Sequence, residues 1–125
     1  MLAMAALSAC TASHARAPAL DVTTGTASYY ADHFSGKRTA SGEAYDPEAF
    51  TAAHRSLPFG TRLRVTDMAS GRSVVVRVND RGPWGGKRLI DLSRAAAREL
   101  GLIRRGHGQV QLDPLADADA QDQTS

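Results

Sequence analysis

Cysteine is nearly missing from this sequence. Among 125 residues Cys10 stands alone, which excludes an intrachain disulfide and leaves the fold to stabilise itself by packing. The four histidines (14, 33, 54 and 107) are scattered and no Cys/His spacing matches a ligand set, so neither a metal nor a cofactor is expected. Long apolar runs are lacking as well: the uncharged stretch Met1 to Ala9 is far too short to span a bilayer. Aromatics make up only 6% of an otherwise ordinary soluble composition, and no internal repeat is visible. At this length there is room for one domain.

Acidic residues are scarce between Arg55 and Arg105. Twelve Lys/Arg stand there against four acids, a net +8 concealed within a formal +2 for the whole chain. Such a segment suits an anionic partner, whether nucleic acid, a membrane surface or an acidic polysaccharide. The plainer alternative is that the arginines solvate strand exteriors. No nucleic-acid-binding motif accompanies them, and nucleic acid is not an expected partner.

The ends differ from the middle. Met1 to Ala9, rich in Leu, Met and Ala, reads as the apolar part of an export signal. Leu7-Ser8-Ala9-Cys10 is similar to a bacterial lipobox, in which cleavage before the cysteine is followed by acylation of its sulfur. Cys10 is therefore the expected lipidation site, with cleavage after Ala15-Arg16-Ala17 as the competing reading. Residues 1–17 hold the export region and the start of a linker, and 18–21 complete it. Residues 22–115 make the folded unit, and 116–125 an acidic, disordered tail without large apolar side chains. Export implies the periplasm or cell envelope, with a membrane contact through Cys10 if it is lipidated. A monomer is expected.

Within the folded unit the organising stretch is Val74 to Pro83. Its β-branched run, broken only by Arg77, predicts a strand buried on much of both faces, and Gly82-Pro83 forces a turn. Counting by two from Val74 through Val76 and Val78 puts Asp80 on the same face, just past the strand end. An acid held at the rim by a rigid strand is well placed for chemistry. The competing role is a turn-capping aspartate bonded to the backbone of Arg81 and Gly82.

Other elements follow in order. Gly25 to Tyr30 predicts a first strand. Asp32 to Asp46 has no helical or strand period and reads as a long surface loop, a length uncommon in compact domains unless it binds something. Phe50 to His54 is a short apolar segment. Thr61 to Asp67 alternates, with Leu63 and Val65 inward, and pairs as a hairpin with the Val74 strand. Arg88 to Leu92 is another short strand, Ser93 caps a helix through Leu100, and Gly101 stops it. Val110 to Leu112 closes the unit. Many short strands with one short helix imply a small closed barrel.

Five motifs appear in register: Gly25-Thr-Ala-Ser-Tyr-Tyr, Thr39-Ala-Ser-Gly-Glu, Thr51-Ala-Ala-His-Arg-Ser-Leu-Pro-Phe-Gly-Thr, Val78-Asn-Asp-Arg-Gly-Pro and Ile90-Asp-Leu-Ser-Arg-Ala-Ala-Ala. Together, from about Gly25 to Leu112, they resemble the rare lipoprotein A family of septal lytic transglycosylases. That resemblance implies a mainly β fold, a six-stranded double-psi β-barrel with one short helix. It also implies cleavage, without water, of peptidoglycan glycan strands lacking stem peptides, leaving 1,6-anhydro-muramic ends. The family's functional positions fall on Glu43, Asp46, His54 and Asp80. The chain departs from the family at Tyr29-Tyr30-Ala31, where Trp-Tyr-Gly is usual. It also ends in an acidic stretch where many members carry a further glycan-binding domain.

Glycoside cleavage needs a proton for the leaving oxygen and stabilisation of an oxocarbenium-like centre. Where the sugar's own 6-hydroxyl attacks, one acid that later turns base suffices, and Asp80 is the candidate. Glu43, in a loop where an acid is ordinarily just solvated, is the candidate second carboxylate or sugar-hydroxyl ligand. Asp46 before Pro47 favours a turn role over sugar binding. His54 is either a hydrogen-bonded structural histidine or a group orienting Asp80.

Tyr29, Tyr30 and Trp84 are candidate sugar faces, with Tyr30 favoured as a core residue and Trp84 as the exposed platform. Arg81 and Arg88 are candidate clamps for the lactyl carboxylate of muramic acid. Asp91 is expected to pair with an arginine or to support the helix start. Two other functions compete with the transglycosylase: a non-catalytic, expansin-like glycan-binding barrel, and a hydrolase pairing Asp80 with Glu43 or Asp46.

Overall fold

The computed structural model describes residues 22–116. The lipobox with Cys10, the competing cleavage site, the linker and all but the first residue of the acidic tail lie outside the described residues. Six strands run in order: β1 (Thr23–Tyr29), β2 (Thr51–His54), β3 (Arg62–Asp67), β4 (Ser73–Asp80), β5 (Arg88–Leu92) and β6 (Gly108–Pro114). Among the described residues one α-helix, α1 (Arg94–Leu100), lies between β5 and β6, and a short 3-10 turn covers Asp32–Phe34. The strands close into a barrel in the order β1-β5-β2-β4-β3-β6, with β6 returning to pair with β1. Pairs β1–β5 and β2–β4 are parallel and the others antiparallel. This is the six-stranded, mainly β barrel that the sequence implied.

Alternation decides which side of each strand enters the core. Leu63 and Val65 of β3, Val76 and Val78 of β4, Ile90 and Leu92 of β5 and Val110 of β6 are wholly buried. Each such side chain contributes about 1.5–3 kcal/mol by leaving water. The β4 strand is not buried on both faces: Val75 and Arg77 are only half-buried, because one side of this small barrel meets solvent and the loop over it. Helix α1 packs Ala96, Ala97 and Leu100 into the same cluster. Its ends are set locally. Ser93 Oγ accepts from Ala96 N–H at 3.3 Å, and Gly101 takes the left-handed conformation (φ 76°) that lets the chain leave.

The β3–β4 turn carries a charge into the interior. Asp67 is 1% exposed, and its Oδ2 accepts from Ser70 Oγ (2.7 Å) and Arg105 Nη2 (3.0 Å). Burial pushes its carboxyl up, but the bonds from Ser70 and Arg105 outweigh that and hold it below the ordinary aspartate value. The turn is thereby tied to the segment ahead of β6.

Candidate active site

The alternation along β4 breaks at its end, and the break makes the site. Ala52 of β2 pairs with Val78 and Ala53 with Asp80, so Asn79 is an extra, bulged residue. Val78 and Asn79 are both buried while Asp80 is half-buried at the barrel surface. Asp80 is the last residue of the strand rather than the first beyond it, and it leaves the valine face. Gly82, at φ 120°, permits the chain to turn directly after it.

Asp80 stands in the wall of a cleft of about 450 Å³. Its Oδ1 accepts two backbone N–H bonds, from Ala40 (2.8 Å) and Arg81 (2.8 Å). Its Oδ2 accepts from the Tyr30 hydroxyl at 2.5 Å. Tyr30 is therefore not a core residue: it is half-buried and lines the same cleft. Burial first, and then the bond to Asp80, push its hydroxyl well above the ordinary tyrosine range, so it stays a donor. Its ring stacks on Tyr45 (centroids 4.4 Å apart, planes 13° apart) and meets the edge of Phe34.

The long loop is a built structure that docks on the end of β4. Arg38 and Ala44 form a bridge, and Thr39 N–H donates to Glu43 O at 2.7 Å. Ser41 N–H donates to the Asn79 carbonyl at 3.2 Å. Glu43 receives both guanidinium nitrogens of Arg77 (2.7 and 3.1 Å) and the Asn79 amide (2.9 Å). The Arg77 bonds, then that of Asn79, hold Glu43 below the ordinary glutamate value. Bulged Asn79 thus has a use: its amide and carbonyl both hold the loop that presents Ala40 N–H to Asp80.

The structure gathers some of the sequence candidates and leaves others out. Tyr29, Asp80, Arg81, Trp84 and Arg88 all line the cleft. Trp84 is 69% exposed, whereas the Tyr29 hydroxyl is spent on the Ile103 carbonyl at 2.8 Å. Arg81 lies over the Phe59 ring (4.1 Å) and donates to the His54 carbonyl at 3.2 Å. Arg88 reaches Ser28 Oγ (3.3 Å) and Asp91 (3.6 Å).

Glu43, Asp46 and His54 are not part of the lining. Asp46 accepts from Glu48 N–H at 2.9 Å, an Asx turn. The His54 ring faces a separate cavity of about 220 Å³. Sequence reasoning weighed Tyr30 as a sugar face but preferred it as core, and it missed Phe34 and the second cleft carboxylate, Asp91, whose Oδ1 accepts from Ser28 Oγ at 2.7 Å. An Asp two residues before the helix cap was visible, but nothing local showed that parallel pairing of β1 with β5 would carry it into the cleft. Among the described residues no cluster of His, Cys, Asp and Glu could hold a metal ion.

A double-psi barrel with one firmly held aspartate in an aromatic- and arginine-lined cleft defines a class, and comparison with known proteins gives its family. Residues 22–112 match the family model described as lytic transglycolase, and the chain belongs to that family. Similar proteins bear the name endolytic peptidoglycan transglycosylase RlpA. The Haemophilus influenzae protein is 55% identical over 91 residues, covering 73% of this chain and 32% of that one. The one from Synechocystis sp., named as probable, is 57% identical over 89 residues, covering 71% of this chain and 28% of that one. The chain thus spans about a third or less of the length of these relatives.

Among solved structures, an expansin from Clavibacter michiganensis is similar at 23% identity (TM-score 0.64). The match covers 78% of this chain and 52% of that one, a likeness of fold. The Streptomyces papain inhibitor is similar at 25% identity (TM-score 0.62), covering 77% of this chain and 96% of that one.

Proposed function

We propose that the barrel is an endolytic transglycosylase that cuts peptide-free peptidoglycan strands and leaves 1,6-anhydro-muramic ends. The observation that carries this reading is the holding of Asp80. Its Oδ1 accepts two backbone N–H groups while its Oδ2 accepts only the Tyr30 hydroxyl, so Oδ2 is the oxygen with a lone pair left at which a proton can be exchanged. In the first step Asp80 gives that proton to the glycosidic oxygen as the C1–O bond breaks. In the second, the 6-hydroxyl of the same sugar bonds to C1 and its proton returns to Asp80. No water is consumed, and one carboxylate serves as acid and then as base. Glu43 acts through the loop: its pairing with Arg77 and Asn79 keeps Ala40 N–H on Asp80. Trp84 offers a flat face to a sugar ring, and Arg88 is the clamp for the muramic carboxylate. Asp46 shapes the loop turn.

The name borne by the relatives supports peptidoglycan as the partner and, with it, the cell envelope as the location; a lipid anchor at Cys10 is proposed from the lipobox-like Leu7-Ser8-Ala9-Cys10 alone. One observation favours a second reading. Asp91 is a second carboxylate in the cleft, so a hydrolase pairing it with Asp80 is the alternative, in place of a pair with Glu43 or Asp46.

Mass spectrometry of peptide-free strands incubated with the full chain, beside Asp80→Asn, decides between them. Anhydro ends made only by the unmutated protein are expected. Reducing ends would mean a hydrolase. Intact strands that co-sediment with the protein would leave a glycan-binding barrel of the expansin kind.

A further inference from the structure

His54 ends β2 one residue past Ala53, the partner of Asp80, yet its ring turns away from the cleft toward the cavity lined by Thr23, Leu57, Leu63 and Leu112. Its Nδ1 accepts two backbone N–H bonds, from Ser56 (3.1 Å) and Leu57 (3.2 Å). A flipped ring would set a carbon against both donors, so the ring proton belongs on Nε2. Burial, then the charges of Arg81 and Arg55, hold the imidazole below its ordinary value and keep it neutral.

The turn closed by this ring grips the far side of the cleft at two points. The His54 carbonyl accepts from Arg81 Nη1 at 3.2 Å, and Arg55 Nε donates to the Pro83 carbonyl at 2.7 Å. Arg81 and Pro83 flank the segment that leads from Asp80 to Trp84, and all four line the cleft.

We propose that His54 is a positioning residue for the reaction proposed above: as a fixed acceptor at Nδ1 it closes the 54–57 turn, which braces the Arg81–Trp84 wall against Asp80. It transfers no proton. The proposal rests on the transglycosylase reading, but its bracing half has readouts of its own.

Asparagine and glutamine separate the two ring nitrogens. Asparagine at 54 sets its amide oxygen where Nδ1 stands, while the glutamine amide extends toward Nε2 and leaves both N–H groups orphaned. The expected result is that His54→Gln loses about tenfold to a hundredfold in kcat/KM while His54→Asn recovers most of it. The pH–rate profile of His54→Asn keeps the limbs of the unmutated protein. Trp84 is the sole tryptophan, so its emission reports the wall directly: unchanged in His54→Asn, shifted in His54→Gln. Should His54→Gln fail to fold, imidazole ¹⁵N shifts of the unmutated protein still test the Nε2–H tautomer.

Equal loss of kcat in both variants, with a pH limb removed and Trp84 emission unmoved, would overturn the proposal in favour of proton transfer. A glutamine variant with full activity would overturn it too, as would an Nδ1–H tautomer. If the unmutated protein cleaves nothing, the transglycosylase reading fails, and the emission and tautomer measurements still decide whether His54 braces the wall.

Discussion

Two oxygens of one side chain, Asp80 Oδ1 and Oδ2, are held by different kinds of donor, and that difference makes the site testable atom by atom. Oδ1 is bound by backbone N–H groups that no substitution at Ala40 or Arg81 short of proline removes, whereas Oδ2 depends on the Tyr30 hydroxyl. A hydrogen bond to a charged group is worth about 1.5–3 kcal/mol. Tyr30→Phe is therefore expected to lower kcat by about tenfold to a hundredfold with little change in KM, measured by steady-state release of anhydro-ended products. Glu43 makes a prediction in pH. Its folded-state pKa is depressed below the ordinary 4.5, so the tether to Arg77 and Asn79 contributes fully above that value. The contribution is lost as pH falls through the lower folded value. The melting-temperature gap between the unmutated protein and Glu43→Gln should be widest at neutral pH and close on acidification. It will be small, because the carboxylate is 45% exposed and water screens the pair.

Elements were legible where their signals are local. Ser93 and Gly101 bound α1 because a cap needs only a hydroxyl and a left-handed residue at the right offset, and both stand where the sequence put them. The same cap predicts a cost. Ser93 is fully buried, and its Oγ takes N–H groups from Ala96 and also from Thr51 of β2 at 3.4 Å. Ser93→Ala should destabilise the barrel by about 2 kcal/mol, the upper end for a lost N-cap, read from urea unfolding. The β3 strand was equally plain, since Leu63 and Val65 alternate with polar neighbours, whereas the unbroken Val74-Val75-Val76 run marked β4 as a strand without showing which face was buried. What the chain could not disclose is set by pairing between distant strands. The bulge at Asn79 exists only because β2 lies parallel to β4 with one residue fewer, so the count that placed Asp80 beside the valines failed at its last step. Tyr30 was read as core for a similar reason: an aromatic at a strand end looks the same whether it fills an interior or meets a carboxylate fifty residues away. The loop at 32–46 lacked any period because its order comes from irregular bonds within it, such as the Arg38–Ala44 bridge, and from contacts with Arg77, Asn79 and Asp80.

The whole molecule is a cationic barrel, and its charge makes a prediction that no single residue carries. Between Arg55 and Arg105 the net charge is +8, with Arg88 half-exposed in the cleft. Co-sedimentation with peptide-free strands should weaken as salt rises and lose that dependence when the muramic carboxyls are reduced. Arg88→Gln should flatten part of the salt response while leaving the fold intact, since its 3.6 Å ion pair is long and open to solvent on the arginine side. Closure of the sheet has a different consequence. The last strand returns to the first, with Thr23 opposite Leu112, so the polypeptide enters at Thr23 and leaves two residues past Leu112, at Pro114, on the neighbouring strand of the same rim. A unit whose two ends are neighbours behaves as a cassette: spliced into a surface loop of an unrelated host, it asks of that host only a narrow gap, and neither partner need unfold to admit the other.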